Sequence, residues 1–219
     1  VGFVVGLVLM LAVVVVLELL DISIHTEEDI KEVCQRPVLT MVPDMASQGK
    51  GGYYYGYGQN PDEKNKAKEG EAPKLVGNDI SFAASEAYKV LRTKVQFSFA
   101  DENSCHVIGV SSALTGEGKS LTAVNLAYSF AQLGERVLLI DCDMRRPSLA
   151  DKLPIRRAPG LSDYLTGQIQ ADQLLQPCGL KGDENAFHVI SSGRMPPNPM
   201  ELLSSVRMER LTQRLREMY

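Results

Sequence analysis

Residues 105–143 read CHVIGVSSALTGEGKSLTAVNLAYSFAQLGERVLLIDCD, and the order of patterns in this stretch decides the fold. Residues 105–112 are apolar and rich in β-branched side chains, which predicts a short buried strand. Residues 119–134 predict a helix, with Ala123, Leu126, Ala127 and Phe130 on one face and Gly134 as its C-terminal stop. RVLLIDCD, residues 136–143, predicts a second buried strand. Strand, glycine-containing loop, helix and strand make a βαβ unit, which implies parallel strands joined by a right-handed crossover. The expected fold is therefore α/β, a parallel sheet flanked by helices.

The loop inside this unit carries the chemistry. Ala113 to Ser120 match the second half of G-x-x-x-x-G-K-[ST], with Ala113 where the first glycine is usual. Gly116 and Gly118 allow backbone N–H groups to turn inward around phosphate oxygens, and the helix N-terminus adds partial positive charge. Lys119 would reach the β- and γ-phosphates and the Ser120 hydroxyl would ligate Mg²⁺. The candidate nucleotide-binding residues are Thr115, Gly116, Glu117, Gly118, Lys119, Ser120 and Leu121. Asp141 and Asp143 end the second strand on one face, with Cys142 pointing away as a packing residue. In a parallel sheet that end meets the same crevice as the loop. Two carboxylates there can hold an ion and its water, or accept a proton from an attacking hydroxyl. Lys119, Asp141 and Asp143 are the expected catalytic group, and Ser120 and Asp141 the expected Mg²⁺ ligands. The fold is thus expected to be P-loop NTPase-like, with an incomplete sheet because only three strands are evident.

Outward from this unit, SFAASEAYKVLRTKVQF (residues 81–97) predicts a helix with Ala84, Tyr88, Leu91 and Val95 on one face. GLSDYLTG starts a short helix at residue 160, and FHVISSG (187–193) predicts a third strand. Residues 198–219 predict one long helix, capped by Asn198, with Pro199 in its first turn and Glu201 completing a capping box.

The N-terminal side has another character. Residues 1–17 (VGFVVGLVLMLAVVVVL) contain no polar side chain and would span about 25 Å as a helix, slightly short of a ~30 Å hydrocarbon core. Residues 1–20 are read as the C-terminal part of a transmembrane helix. Residues 21–45 form a second segment, with a helix start at Thr26 and a strand-like PVLTMVP at 37–43. Residues 46–80 predict a flexible linker, with five Gly and four Tyr in GKGGYYYGYG. Residues 81–219 are the globular domain. The chain of 219 residues has 23 Lys and Arg against 27 Asp and Glu, a net charge of −4 that argues against nucleic-acid binding. Four scattered Cys (Cys34, Cys105, Cys142, Cys178) suggest neither zinc nor a disulfide framework, and fit a reducing compartment.

The loop SSALTGEGKS, the acidic VLLIDCDMRRP, then GLSDYLTG and GRMPPNPMELL, resemble the bacterial tyrosine kinases (BY-kinases) of polysaccharide export. The segment from the apolar run through LLDISIHTEEDI to RPVLTMVP resembles the end of the polysaccharide chain-length determinant domain to which such kinases are often fused. The resemblance implies ATP- and Mg²⁺-dependent tyrosine autophosphorylation, with one of Asp141 and Asp143 as base. It further implies a bacterial plasma-membrane location, a cytoplasmic kinase domain and partners in the polysaccharide polymerisation and export machinery. The family's self-association helix, Glu-x-x-Arg-x-x-Arg, falls on Glu86, Lys89 and Arg92, implying a homo-oligomer, with Lys89 a point charge where a planar fork is usual. The other reading of these three residues is a solvated helix face with i,i+3 ion pairs. The family's third acidic motif and C-terminal tyrosine cluster would follow Tyr219, so the chain reads as a fragment that turns over slowly or not at all. Tyr53, Tyr54, Tyr55 and Tyr57 of the linker are candidate phosphoacceptors. Two alternatives stand beside the kinase. One is an ATPase of the partitioning and septum-site type, in which a Lys stands where this loop has Leu114. The other is a non-catalytic scaffold setting polysaccharide chain length.

Overall fold

A computed structural model describes residues 2–20, 27–34, 36–43, 80–99, 104–180 and 183–219. The chain divides into two compact units, Val1–Leu39 and Thr40–Tyr219. In the first, α1 (Gly2–Leu20) and α2 (Glu27–Cys34) are the helices expected there. Among the described residues no helix is long and apolar enough to cross a membrane. The transmembrane reading of residues 1–20 is thus not carried by the structure, although the helix is. The linker, with Tyr53, Tyr54, Tyr55 and Tyr57, lies outside the described residues apart from Ile80, as does Thr26.

The second unit is a three-layer α/β/α sandwich. Its helices are α3 (Phe82–Gln96), α4 (Lys119–Ala131), α5 (Leu161–Leu165), α6 (Pro199–Leu203) and α7 (Val206–Met218). Its strands are β1 (Leu138–Ile140), β2 (Gln176–Leu180) and β3 (Asp183–Ile190), in the order β1-β3-β2. β1 runs parallel to β3 with Leu139 opposite Val189, and β2 runs antiparallel to β3 with Cys178 opposite Phe187. The sheet is therefore mixed where a parallel one was expected. β2 escapes a pattern reading because Pro177 and Gly179 interrupt it, and both are tolerated on an edge strand with a bulge.

Side-chain alternation divides the core. Leu139, Phe187 and Val189 face Tyr88 of α3 and Val124, Ala127 and Tyr128 of α4. Leu138, Ile140 and Ile190 face Leu161 and Leu165 of α5 and Leu211 and Leu215 of α7. α4 is buried on more than the expected face, since Asn125 and Ser129 are also enclosed.

Two expectations fail for local reasons. Residues 105–112 form no regular element and join no described ladder, and Val107, Ile108 and Val110 stay 63%, 41% and 36% exposed. Composition gives strand propensity, but a strand forms only where a partner edge exists, and no described strand lies against this one. Residues 37–43 likewise pair with no described strand, though Val42 packs on the core. The long C-terminal helix breaks at Ser204–Ser205. The Ser205 hydroxyl donates to the Leu202 carbonyl at the end of α6 (2.6 Å) and accepts from Met208 N–H at the start of α7 (3.2 Å), so it closes one helix and caps the next. Asn198 makes no side-chain cap; its amide donates to Glu201 Oε2 (2.6 Å) instead.

Candidate functional site

The site is assembled at the N-terminus of α4. Gly116 and Gly118 have φ of +93° and +84°, the left-handed region open to glycine, and a Cβ at either would meet nothing within 4 Å. The loop is thus an uncrowded turn whose backbone can approach a ligand. The first bond of α4 runs from Thr122 N–H to the Gly118 carbonyl (2.8 Å). The N–H groups of Lys119, Ser120 and Leu121 therefore have no acceptor within the helix, as at any helix start. Inside the loop Glu117 Oε2 accepts from Leu114 N–H (2.9 Å), which fixes the turn. The Leu121 side chain packs into the core, leaving only its backbone for a ligand.

β1 delivers the carboxylates to the same place. Lys119 Nζ lies 3.2 Å from Asp143 Oδ2, joining the loop to the end of β1. Asp141 is buried at 7% exposure; its Oδ1 accepts from Asp143 N–H (3.0 Å) and its Oδ2 from Leu149 N–H (3.4 Å). Asp143 Oδ1 accepts from Arg146 N–H (3.0 Å). Cys142 is exposed rather than packed. Although the residue is exposed as a whole, desolvation of its thiol by the surrounding protein, and then the charge of Asp141, push that thiol up, which disfavours a thiolate nucleophile.

The two carboxyls are driven apart. Burial raises Asp141, and its backbone hydrogen bonds only partly offset this. For Asp143, burial also acts upward, but the Arg146 N–H and the Lys119 ammonium outweigh it and hold the carboxyl below its ordinary value. The signs for stability are opposite. The Asp141 contribution is present below its unfolded value and lost as pH rises through its raised folded value. That of Asp143 is present above its unfolded value and lost as pH falls through its depressed one. Carbon-13 carboxyl titration of metal-free protein is expected to place the Asp143 midpoint below 3.8 and the Asp141 midpoint above it. Lys119→Met should move Asp143 upward. Coincident midpoints in the wild type would contradict the geometry.

Sequence patterns missed two side chains here. Arg146 Nη1 reaches Thr115 Oγ1 (3.4 Å), and Ser148 Oγ donates to Ser120 Oγ (2.9 Å). Neither belongs to a loop motif; only their position just after the acidic pair could have marked them. Among the described residues no three His, Cys, Asp or Glu side chains gather into a metal cage. The donors present are the Ser120 hydroxyl, with Ser148 behind it, and the Asp141 and Asp143 carboxylates beside an open phosphate turn. That set fits Mg²⁺, which keeps waters and takes phosphate oxygens as ligands.

Residues 108–219 match the CobQ/CobB/MinD/ParA nucleotide-binding domain. The chain belongs to this family. Its relatives include the tyrosine-protein kinase YwqD of Bacillus subtilis, 41% identical over 68% of this chain and 60% of that protein. A putative tyrosine-protein kinase in the cps region of Klebsiella pneumoniae is 30% identical over 96% of this chain and 27% of that protein. The chain thus spans less than two thirds of the length of each. Among solved structures, the kinase domain of the Escherichia coli tyrosine kinase ETK aligns with a TM-score of 0.69 at 26% identity, over 90% of this chain and 71% of that one. The BceF tyrosine kinase domain gives 0.68 at 30%, over 90% and 73%. The family is one of nucleotide-binding domains, and the α/β fold is shared with tyrosine kinase domains.

On α3, the Glu86, Lys89 and Arg92 series does not form one outward ridge. Lys89 Nζ pairs with Glu86 Oε1 (2.7 Å) on the exposed side, the i,i+3 pair expected of a solvated face. Arg92 is half-buried, and its Nη1 donates to the Ser129 carbonyl of α4 (2.8 Å). Arg92→Ala is therefore expected to destabilise the domain by about 1.5–3 kcal/mol, the range for a hydrogen bond from a charged group. Lys89→Ala should change stability by less than about 1 kcal/mol. Denaturant midpoints of the two variants check this, and equal losses would contradict the placement of Arg92.

Proposed function

We propose that the chain carries an ATP- and Mg²⁺-dependent protein-tyrosine kinase domain that phosphorylates tyrosines of its own kind and regulates capsular or exopolysaccharide synthesis and export. The observation that carries the reading is the Lys119–Asp143 pair. It joins the phosphate loop to the acidic strand end in a chain whose relatives are named tyrosine-protein kinases. In this reading the loop amides of Thr115 to Leu121 and Lys119 bind the triphosphate. Ser120 and Asp141 face Mg²⁺, which when bound neutralises phosphate charge. The ionised carboxylate of Asp143, or the proton-prone Asp141, takes the tyrosine hydroxyl proton. Tyr53, Tyr54, Tyr55 and Tyr57 are candidate acceptors because a Gly-rich tether can reach a neighbour's crevice. On α3 the exposed Glu86–Lys89 pair, with Arg92 behind it, is the candidate surface for self-association.

Attachment to a bacterial plasma membrane, with the kinase domain on the cytoplasmic side, is part of the proposal. It is supported by the unbroken apolar run of residues 1–17 and by the cytoplasmic supply of ATP. The family description also includes MinD and ParA, which keeps an ATPase reading in view. Incubation with γ-labelled ATP and Mg²⁺ separates the readings. Label on tyrosine supports the kinase, and label released only as inorganic phosphate supports the ATPase. Nucleotide binding with neither product supports a chain-length scaffold.

A further inference from the structure

Ser148 stands 28 residues beyond Ser120 in sequence, yet their hydroxyl oxygens are 2.9 Å apart. We propose that Ser148 is a positioning residue for the nucleotide's divalent cation, acting through Ser120; this rests on the phosphate-loop reading above.

The first argument is one of valence. A hydroxyl has one donor hydrogen and two acceptor lone pairs. Either hydroxyl can donate across this contact; with a cation on Ser120, Ser148 is the donor, so Ser120 Oγ uses one lone pair on Ser148 and the other on the cation. The bond therefore orients the ligand oxygen without occupying the position a cation needs. Groups that fix a metal ligand from behind in this way tune its affinity.

The second argument is rigidity. Ser148 belongs to the turn that leads into the 3-10 turn Leu149–Asp151. Leu149 is 4% exposed in the core beneath α4, so the turn is anchored by apolar packing. Leu149 N–H is also a partner of Asp141 Oδ2 (3.4 Å). Two consecutive residues thus hold the two proposed Mg²⁺ ligands, Ser148 through its side chain and Leu149 through its backbone. The turn is further tied by Lys152 N–H to the Leu149 carbonyl (3.0 Å) and Lys152 Nζ to the Ser148 carbonyl (3.5 Å). Removing the Ser148 hydroxyl alone leaves the anchor, Asp141 and α4 in place.

The test is a Mg²⁺ titration of a fluorescent N-methylanthraniloyl-ATP on the 219-residue chain, with nucleotide affinity in EDTA measured alongside. Ser148→Ala is expected to raise the Mg²⁺ half-saturation about tenfold, the low end for lost outer-shell partners. Affinity in EDTA should stay at the wild-type value, and Ser148→Thr should restore the Mg²⁺ response. Unchanged half-saturation overturns the proposal. So does tighter Mg²⁺ binding, which would mean that Ser148 competes with the cation. An equal weakening in EDTA overturns it too, because a merely structural role would give that result. Ser120→Ala is the companion variant. If it leaves Mg²⁺ dependence untouched, the loop assignment itself falls, and the Ser148 proposal with it.

Discussion

Lys119→Met is expected to lower phosphoryl transfer to tyrosine by at least about 10²–10³-fold, the usual loss when one preorganised group facing developing charge is removed. Lys119 opens α4, so its ammonium stands at a helix N-terminus beside glycines with positive φ, where backbone N–H groups already favour an anion. Its Nζ is 3.2 Å from Asp143 Oδ2, and both side chains are about 30% exposed, so the pair is screened only in part. Methionine keeps an unbranched chain of similar length and high helix propensity, which should preserve α4. The change removes the charge and leaves the shape. It also leaves Asp143 without its cationic neighbour, so the pH dependence of any residual transfer should shift with that carboxyl. Transfer of labelled γ-phosphate to tyrosine, measured beside the melting temperature, is the check. Wild-type transfer in a folded variant would remove the loop from the chemistry and with it the kinase reading.

The parts of the fold that a linear pattern exposes are those made by local rules. Ser81 caps α3 by accepting from Ala84 N–H (3.2 Å), and Gly134 stops the α4 region at φ +84°, both as their residue types predict. The approach of Asp143 to Lys119 agrees with the expected meeting of loop and strand end, although the strand expected before the loop joins no ladder, so the parallel-sheet premise is only half met. Where the outcome hung on partners distant in sequence, the pattern was silent. Val107, Ile108 and Val110 have the composition of a buried strand and remain exposed because propensity cannot supply an edge to pair with. β2 was hidden by Pro177 and Gly179, which local rules count against a strand and which only its edge position permits. Arg92 looked like a member of an outward charged row, since helical spacing puts it beside Lys89. Its turn toward the Ser129 carbonyl depends on where α4 packs, which spacing along α3 does not encode. Ser148 was invisible for the same reason.

Gly160→Ala is expected to destabilise the domain by about 3 kcal/mol, the upper part of the range for overpacking a closed site. Gly160 has φ −150°, an extended conformation open to any residue, so backbone preference is not the reason for glycine. Space is. A Cβ there would lie 2.4 Å from both Gly193 N and the Ser191 carbonyl oxygen, and these are backbone atoms that no side-chain rotation can move. The approach is close because the start of α5 is bonded to the chain leaving β3. Leu161 N–H donates to the Ser191 carbonyl (2.8 Å) and Ser162 N–H to the Ser192 carbonyl (2.9 Å). Asp163, 3% exposed, closes the junction by accepting from Gly160 N–H (2.8 Å). Relief of the clash would have to break these bonds and expose a buried carboxylate, so relaxation offers little escape. For a chain of this size, about 3 kcal/mol corresponds to a fall in Tm of about 6–12 °C. Gly109→Ala is the control, since a Cβ there meets nothing within 4 Å and no positive φ is involved. It should change stability by less than about 0.5 kcal/mol. Thermal melts of the two variants side by side decide the matter: equal melting temperatures would mean that the junction of α5 with the end of β3 is looser than its hydrogen bonds require.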